Sequence, residues 1–122
     1  MSQFNDTGHG TLILSATVAQ HLRVTPAGAV GVLATPPFGT ARVSGVSGDV
    51  VGVIYANKPG SAKMVASKAI TAGALVYSAA AGKISDAAAT GSFIEGIAIE
   101  AATADNDVIE VLRVVSLRAT PA

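Results

Sequence analysis

The chain contains no cysteine and no tryptophan. Without cysteine there is no disulfide framework, no thiolate nucleophile and no cysteine-ligated metal, and the redox compartment is left open. Only Phe4, Phe38, Phe93, Tyr55 and Tyr77 are aromatic, so a core must be built from aliphatic groups. Charge is scarce as well, with eight basic residues against eight acidic ones. A protein that grips nucleic acid or an anionic membrane needs a net basic face to displace counterions. Arg23, Arg42, Lys58, Lys63, Lys68, Lys83, Arg113 and Arg118 are instead spread along the chain, which argues against both partners. No stretch is long and apolar enough to span a bilayer. The start, Met1-Ser2-Gln3-Phe4-Asn5-Asp6, lacks the basic and apolar regions of a signal peptide. The expectation is a soluble protein made in the cytoplasm.

What the chain does have is small and β-branched. Half of its 122 residues are hydrophobic, mostly Val, Ile, Leu and Ala, and 13 are glycine. That composition favours short strands and tight turns, hence an all-β domain with a modest core. Little charge and much apolar surface on so small a chain imply that part of the surface is covered by another copy or a partner.

Strand candidates follow one another along the sequence: residues 11–18, 20–25, 41–47, 50–56, 61–67, 74–78, 93–101 and 107–115, with a short segment at 83–85. Turn signals separate them, notably Asn57-Lys58-Pro59-Gly60 and Ala72-Gly73. Pro36 and Pro37 exclude a central strand, so Thr35 to Thr40 reads as a loop whose Phe38 packs against something. The Ala-rich stretch 78–90 scores as helix on propensity, but Gly82 interrupts it and no apolar stripe recurs at helical spacing. At most a single turn is expected. Residues 1–10 read as an extended arm, 11–116 as one β domain and 117–122 as a tail.

The last strand is informative. One of its faces carries Ile109, Val111, Arg113 and Val115, and the other Val108, Glu110, Leu112 and Val114. A strand with one solvated face alternates cleanly. Two mostly apolar faces suggest a core on one side and a subunit contact on the other, or a strand inside a closed barrel. Gly52 to Ala56 and Gly96 to Glu100 also echo one another, as would fit two similar hairpins.

Reaction chemistry finds little footing. His9 and Asp6 supply two possible metal ligands where three or four are needed, and His21 stands apart. Ser44-Gly45-Val46-Ser47-Gly48 is a Gly/Ser turn rather than a nucleophile elbow. Glu95 and Glu100 are five apart on one strand and face opposite sides. No phosphate-binding glycine loop is present. No catalytic residue, metal or cofactor is expected. One rival is Ala62-Lys63-Met64, which partly matches the modified lysine of biotinyl and lipoyl carrier domains. The methionine before the lysine is missing, and Lys63 falls inside a strand candidate.

Several short motifs occur in order: Gly48-Asp49-Val50-Val51-Gly52-Val53, Ile70 to Tyr77, Gly82-Lys83-Ile84, Ile94 to Ala102, and Asp107 to Leu112. In order and spacing they resemble the phage capsid decoration, or cement, proteins of the DUF2190 type, from about Gly48 to Val114. The first 45 residues match poorly, with Ala19-Gln20-His21 where the family often has a Gly-Asp pair.

The resemblance implies a β-tulip or barrel-like sandwich fold. It also implies a homotrimer on the outer surface of an icosahedral head, near the three-fold positions, where it stabilises contacts in the major capsid protein. On this reading the core surrounds Val53, Val76, Ile97 and Val111. The capsid contacts are Gln3, Phe4, Asn5, Pro37 and Phe38. The trimer interface is Val108, Glu110, Leu112 and Val114. A head fibre or tail adaptor would share the composition and is the alternative.

Overall fold

The structure is a computed structural model that describes residues 8–120. It is all-β, with two antiparallel sheets packed together. The first sheet has four strands, β1 (His9–Ile13), β2 (Arg23–Val24), β3 (Gly39–Ala41) and β4 (Val50–Tyr55), in the order β1-β4-β3-β2. The second has five, β5 (Ser61–Val65), β6 (Leu75–Ser78), β7 (Ile84–Ser85), β8 (Ile94–Ala98) and β9 (Val108–Leu112), in the order β5-β9-β8-β6-β7. Among the described residues neither sheet closes into a barrel, so the two-faced character of β9 belongs to an open sheet. The Ala-rich stretch gives one 3-10 turn, Ala80–Gly82, with Ala81 in the left-handed region at φ 58°.

Period-2 patterning sets the inward faces. Val51 and Val53 of β4 point in with Leu14, Val18, Val24 and Ala41, forming one apolar cluster. Met64, Val76, Ala98, Ile109 and Val111 form a second cluster with Ala66, Ile70, Ile84 and Ala102. Val53, Met64, Val76 and Val111 are completely buried, and each such side chain contributes about 1.5–3 kcal/mol. Three of the four expected core positions are therefore inside. Ile97 is not: it lies on the outer face between buried Gly96 and Ala98, because alternation along β8 turns it away from the core.

Two glycines shape the sheets. Gly96 has φ 151°, and a Cβ there would overlap the Leu112 carbonyl oxygen across the ladder. Only glycine lets β8 and β9 approach this closely. On β1, the Tyr55 ring lies over Gly10 and fills the space of its missing side chain.

Strand limits depart from the sequence reading where the backbone is diverted. β1 ends at Ile13, and Val18 pairs only with Gly45, in an isolated bridge outside the strands. Strand 20–25 shrinks to Arg23–Val24 because His21 adopts φ 71°, outside the β region. The 41–47 candidate is replaced by β3 at Gly39–Ala41, which pairs with Val53, Ile54 and Tyr55 and takes Gly39 and Thr40 from the expected loop, because the proline restriction is over by Phe38. The echoing segments around Gly52 and Gly96 lie in β4 and β8, each an inner strand of its own sheet.

Candidate interaction surfaces

The joint between the sheets is polar. Arg23 leaves β2 and reaches the second sheet, donating from Nη2 to the carbonyls of Ala79 at 2.6 Å and Val32 at 3.0 Å. Its Nε donates to Lys83 O at 3.1 Å. Glu95 of β8 lies 3.7 Å from Arg23 Nη1 and 3.1 Å from Nη2 of Arg113, just beyond β9. Arg113 also donates from Nη1 to Met64 Sδ at 2.7 Å. The three side chains are 4%, 1% and 3% exposed for Arg23, Glu95 and Arg113, which makes this an Arg–Glu–Arg triad inside the protein. Burial weighs against every charged form. It pushes the Glu95 carboxyl up from its ordinary value, against the pull of Arg113 and Arg23, and lowers both guanidinium values. Neighbouring contacts close the same joint: Ser78 Oγ donates to Leu33 O at 2.6 Å, and Gly82 N donates to Gly31 O at 2.7 Å.

This triad is a structural fastening, and the sequence reading missed it. A signal was present. Arg113 is in phase with inward-facing Ile109 and Val111, and Glu95 sits on an otherwise apolar strand. Charges of opposite sign at inward positions are a sign of pairing.

The outward face of the second sheet carries an apolar row. On the second sheet Leu75 pairs with Ile97 and Ile97 with Leu112, giving a row across three strands. Leu75 is 46% exposed, Leu112 40% and Val108 44%. Glu110 stands beside this row, paired with Lys63 of β5, and its Oε2 accepts a hydrogen bond from Ser61 Oγ. Val114 is exposed just past the end of β9. Val108, Glu110 and Leu112 thus share one outer face, while Ile109 and Val111 fill the core.

Pro37 and Phe38 line a groove of about 610 Å³ together with Tyr55, Pro59, Val115 and Leu117. Phe38 meets Tyr55 edge to face, with ring centroids 5.7 Å apart. Gly8 is at the rim of the same groove. Gln3, Phe4 and Asn5 lie outside the described residues.

Lys63 stands in the middle of β5, 3.8 Å from Glu100, rather than at a hairpin tip. Among the described residues no three His, Cys, Asp or Glu side chains are grouped to hold a metal ion. No helix among them is long and apolar enough to cross a membrane.

These features define a small β-sandwich with exposed apolar side chains on its surface. The chain belongs to the phage cement protein family, whose model matches residues 7–113. The match includes the N-terminal portion that the short motifs left uncovered. Membership gives the chain a structural role associated with the phage capsid. Searches of characterised proteins and of solved structures return no match.

Proposed function

We propose that this protein decorates the outer surface of an icosahedral phage head, binding as a trimer at three-fold positions and stabilising contacts between capsomers of the major capsid protein. The observation that carries this reading is the outer face of the second sheet. A continuous row from Leu75 through Ile97 to Leu112 is left partly open to solvent on a sheet whose inner face already has its core. A lone copy gains nothing from that exposure, whereas a trimer covers it. Val108, Glu110, Leu112 and Val114 are the assigned subunit contacts.

The capsid side is assigned to the Pro37-Phe38 loop and to Gln3, Phe4 and Asn5, which precede the groove rim at Gly8. Three weak contacts held in one trimer add through effective concentration, so each can be modest while the whole holds firmly. No step of this role needs a reacting group or cofactor.

The test is co-sedimentation of the purified protein with cognate heads stripped of decoration, with bound copies counted. Saturation at a copy number matching the three-fold positions supports the reading. A handful of copies per head would instead mark a fibre or tail adaptor, and no binding would remove the decoration role.

A further inference from the structure

We infer that the trimer closes head to tail: the outer face of the second sheet of one copy seats on the exposed Ile13–Val50 end of the first sheet of the next. The inference rests on the trimer proposed above and names the second half of its interface. A three-fold ring cannot be built from a patch meeting itself, because self-complementary contacts are two-fold. Two different surfaces must meet at every joint, and β9 supplies only one of them.

The first sheet offers the other. Ile13 and Val50 are direct cross-strand partners at one end of this sheet and are 65% and 66% exposed. They are among the most exposed large apolar side chains of the described residues, and they share a face. Thr11 and Gly52 form the adjacent pair on that face. The Arg42 side chain lies across Gly52, its Cδ 3.1 Å from where a Cβ would be. The first face is therefore an apolar pair with one cation beside it.

The second face is its counterpart in charge. It presents the row of Leu75, Ile97 and Leu112 with the Glu110 carboxylate beside it. Nearby Lys63 and Glu100 already pair with one another. Among the described residues neither Arg42 nor Glu110 belongs to an ion pair of its own chain. Asp49, next to Val50 in the chain, is turned back on its own loop, where Oδ2 accepts the Val46 N–H at 2.9 Å. On the second face Glu100 and Glu110 share the single Lys63, and on the first Arg42 has no acidic partner among the described residues of its own chain, so the two faces carry net charge of opposite sign next to exposed aliphatic groups. A second copy satisfies both at once, with apolar area buried and Arg42 brought to Glu110.

The test uses the full chain and molar mass by light scattering, with far-UV circular dichroism to confirm folding. One variant, Ile13→Asp with Val50→Asp, blocks the first face. The other, Leu75→Asp with Leu112→Asp, blocks the second. The wild type is expected at three times the 12.0 kDa chain mass, and each variant alone as a monomer. An equimolar mixture of the two variants should form a one-to-one dimer, because one sound joint remains and the ring cannot close. A trimeric first-face variant, or a mixture that stays monomeric, would overturn the head-to-tail joint. A monomeric wild type would instead overturn the trimer itself. Arg42→Glu alone should weaken the trimer about tenfold or more, and adding Glu110→Arg should recover it; absence of recovery also counts against the joint.

Discussion

Replacing Glu95 by alanine strands two guanidinium groups in the joint between the sheets. Glu95 is 1% exposed, and its carboxylate lies 3.1 Å from Arg113 and 3.7 Å from Arg23. Removing one member of a buried ion pair costs about 3–5 kcal/mol, since the survivor keeps its desolvation penalty. The loss falls unequally. Arg23 retains three carbonyl acceptors, whereas Arg113 is left with Met64 Sδ at the end of its side chain. Urea unfolding followed by circular dichroism reads the effect. With a slope of about 1–3 kcal/mol per molar, the midpoint should drop by at least about 1 M. Arg113→Leu should also destabilise the protein, because it strands Glu95. The double variant should cost less than the sum of the two, with a coupling of up to about 3 kcal/mol. Additive losses, or a Glu95→Ala midpoint equal to that of the wild type, would refute the triad as the fastening between the sheets.

Other perturbations follow from the same structure. Gly96→Ala places a Cβ against the Leu112 carbonyl and should cost more than about 1 kcal/mol by disrupting β8–β9 pairing; thermal denaturation measures it. Val76→Ala opens a cavity in the larger apolar cluster and should cost about 2–4 kcal/mol, read from the same urea curves. Two carboxyls should give opposite pH slopes. Burial raises Glu95 above its unfolded value, so its contribution declines as pH rises from about 4.3 toward the raised value. The Thr103 N–H and hydroxyl, with the Ala104 N–H, hold Asp107 below its ordinary value, so its contribution is lost as pH falls below about 3.9. Melting temperature against pH for Glu95→Gln and Asp107→Asn should each flatten the corresponding limb.

Much of the second sheet was legible in the sequence because its strands are bounded by local turn chemistry. Asn57-Lys58-Pro59-Gly60 separates β4 from β5, and Ala72-Gly73 precedes β6. Of the two apolar faces of β9, Ile109 and Val111 fill the core as the pattern suggested, and the subunit contact expected of the other face belongs to the proposed trimer. The first sheet was less legible, for a physical reason. Its short strands are fixed by long-range ties such as Val18 to Gly45, and a left-handed His21 is not marked by residue type. The outward turn of Ile97 depends on the pairing register of β8, which composition does not encode. The triad joins positions 23, 95 and 113, so its members become neighbours only once both sheets exist.

The most direct test of the capsid role is a reconstruction of heads decorated with the purified protein. The account predicts trimeric density over the three-fold positions, with the β9 outer face between subunits and the Phe38 groove toward the shell. Density confined to a single vertex, or monomers scattered without contact through β9, would contradict it.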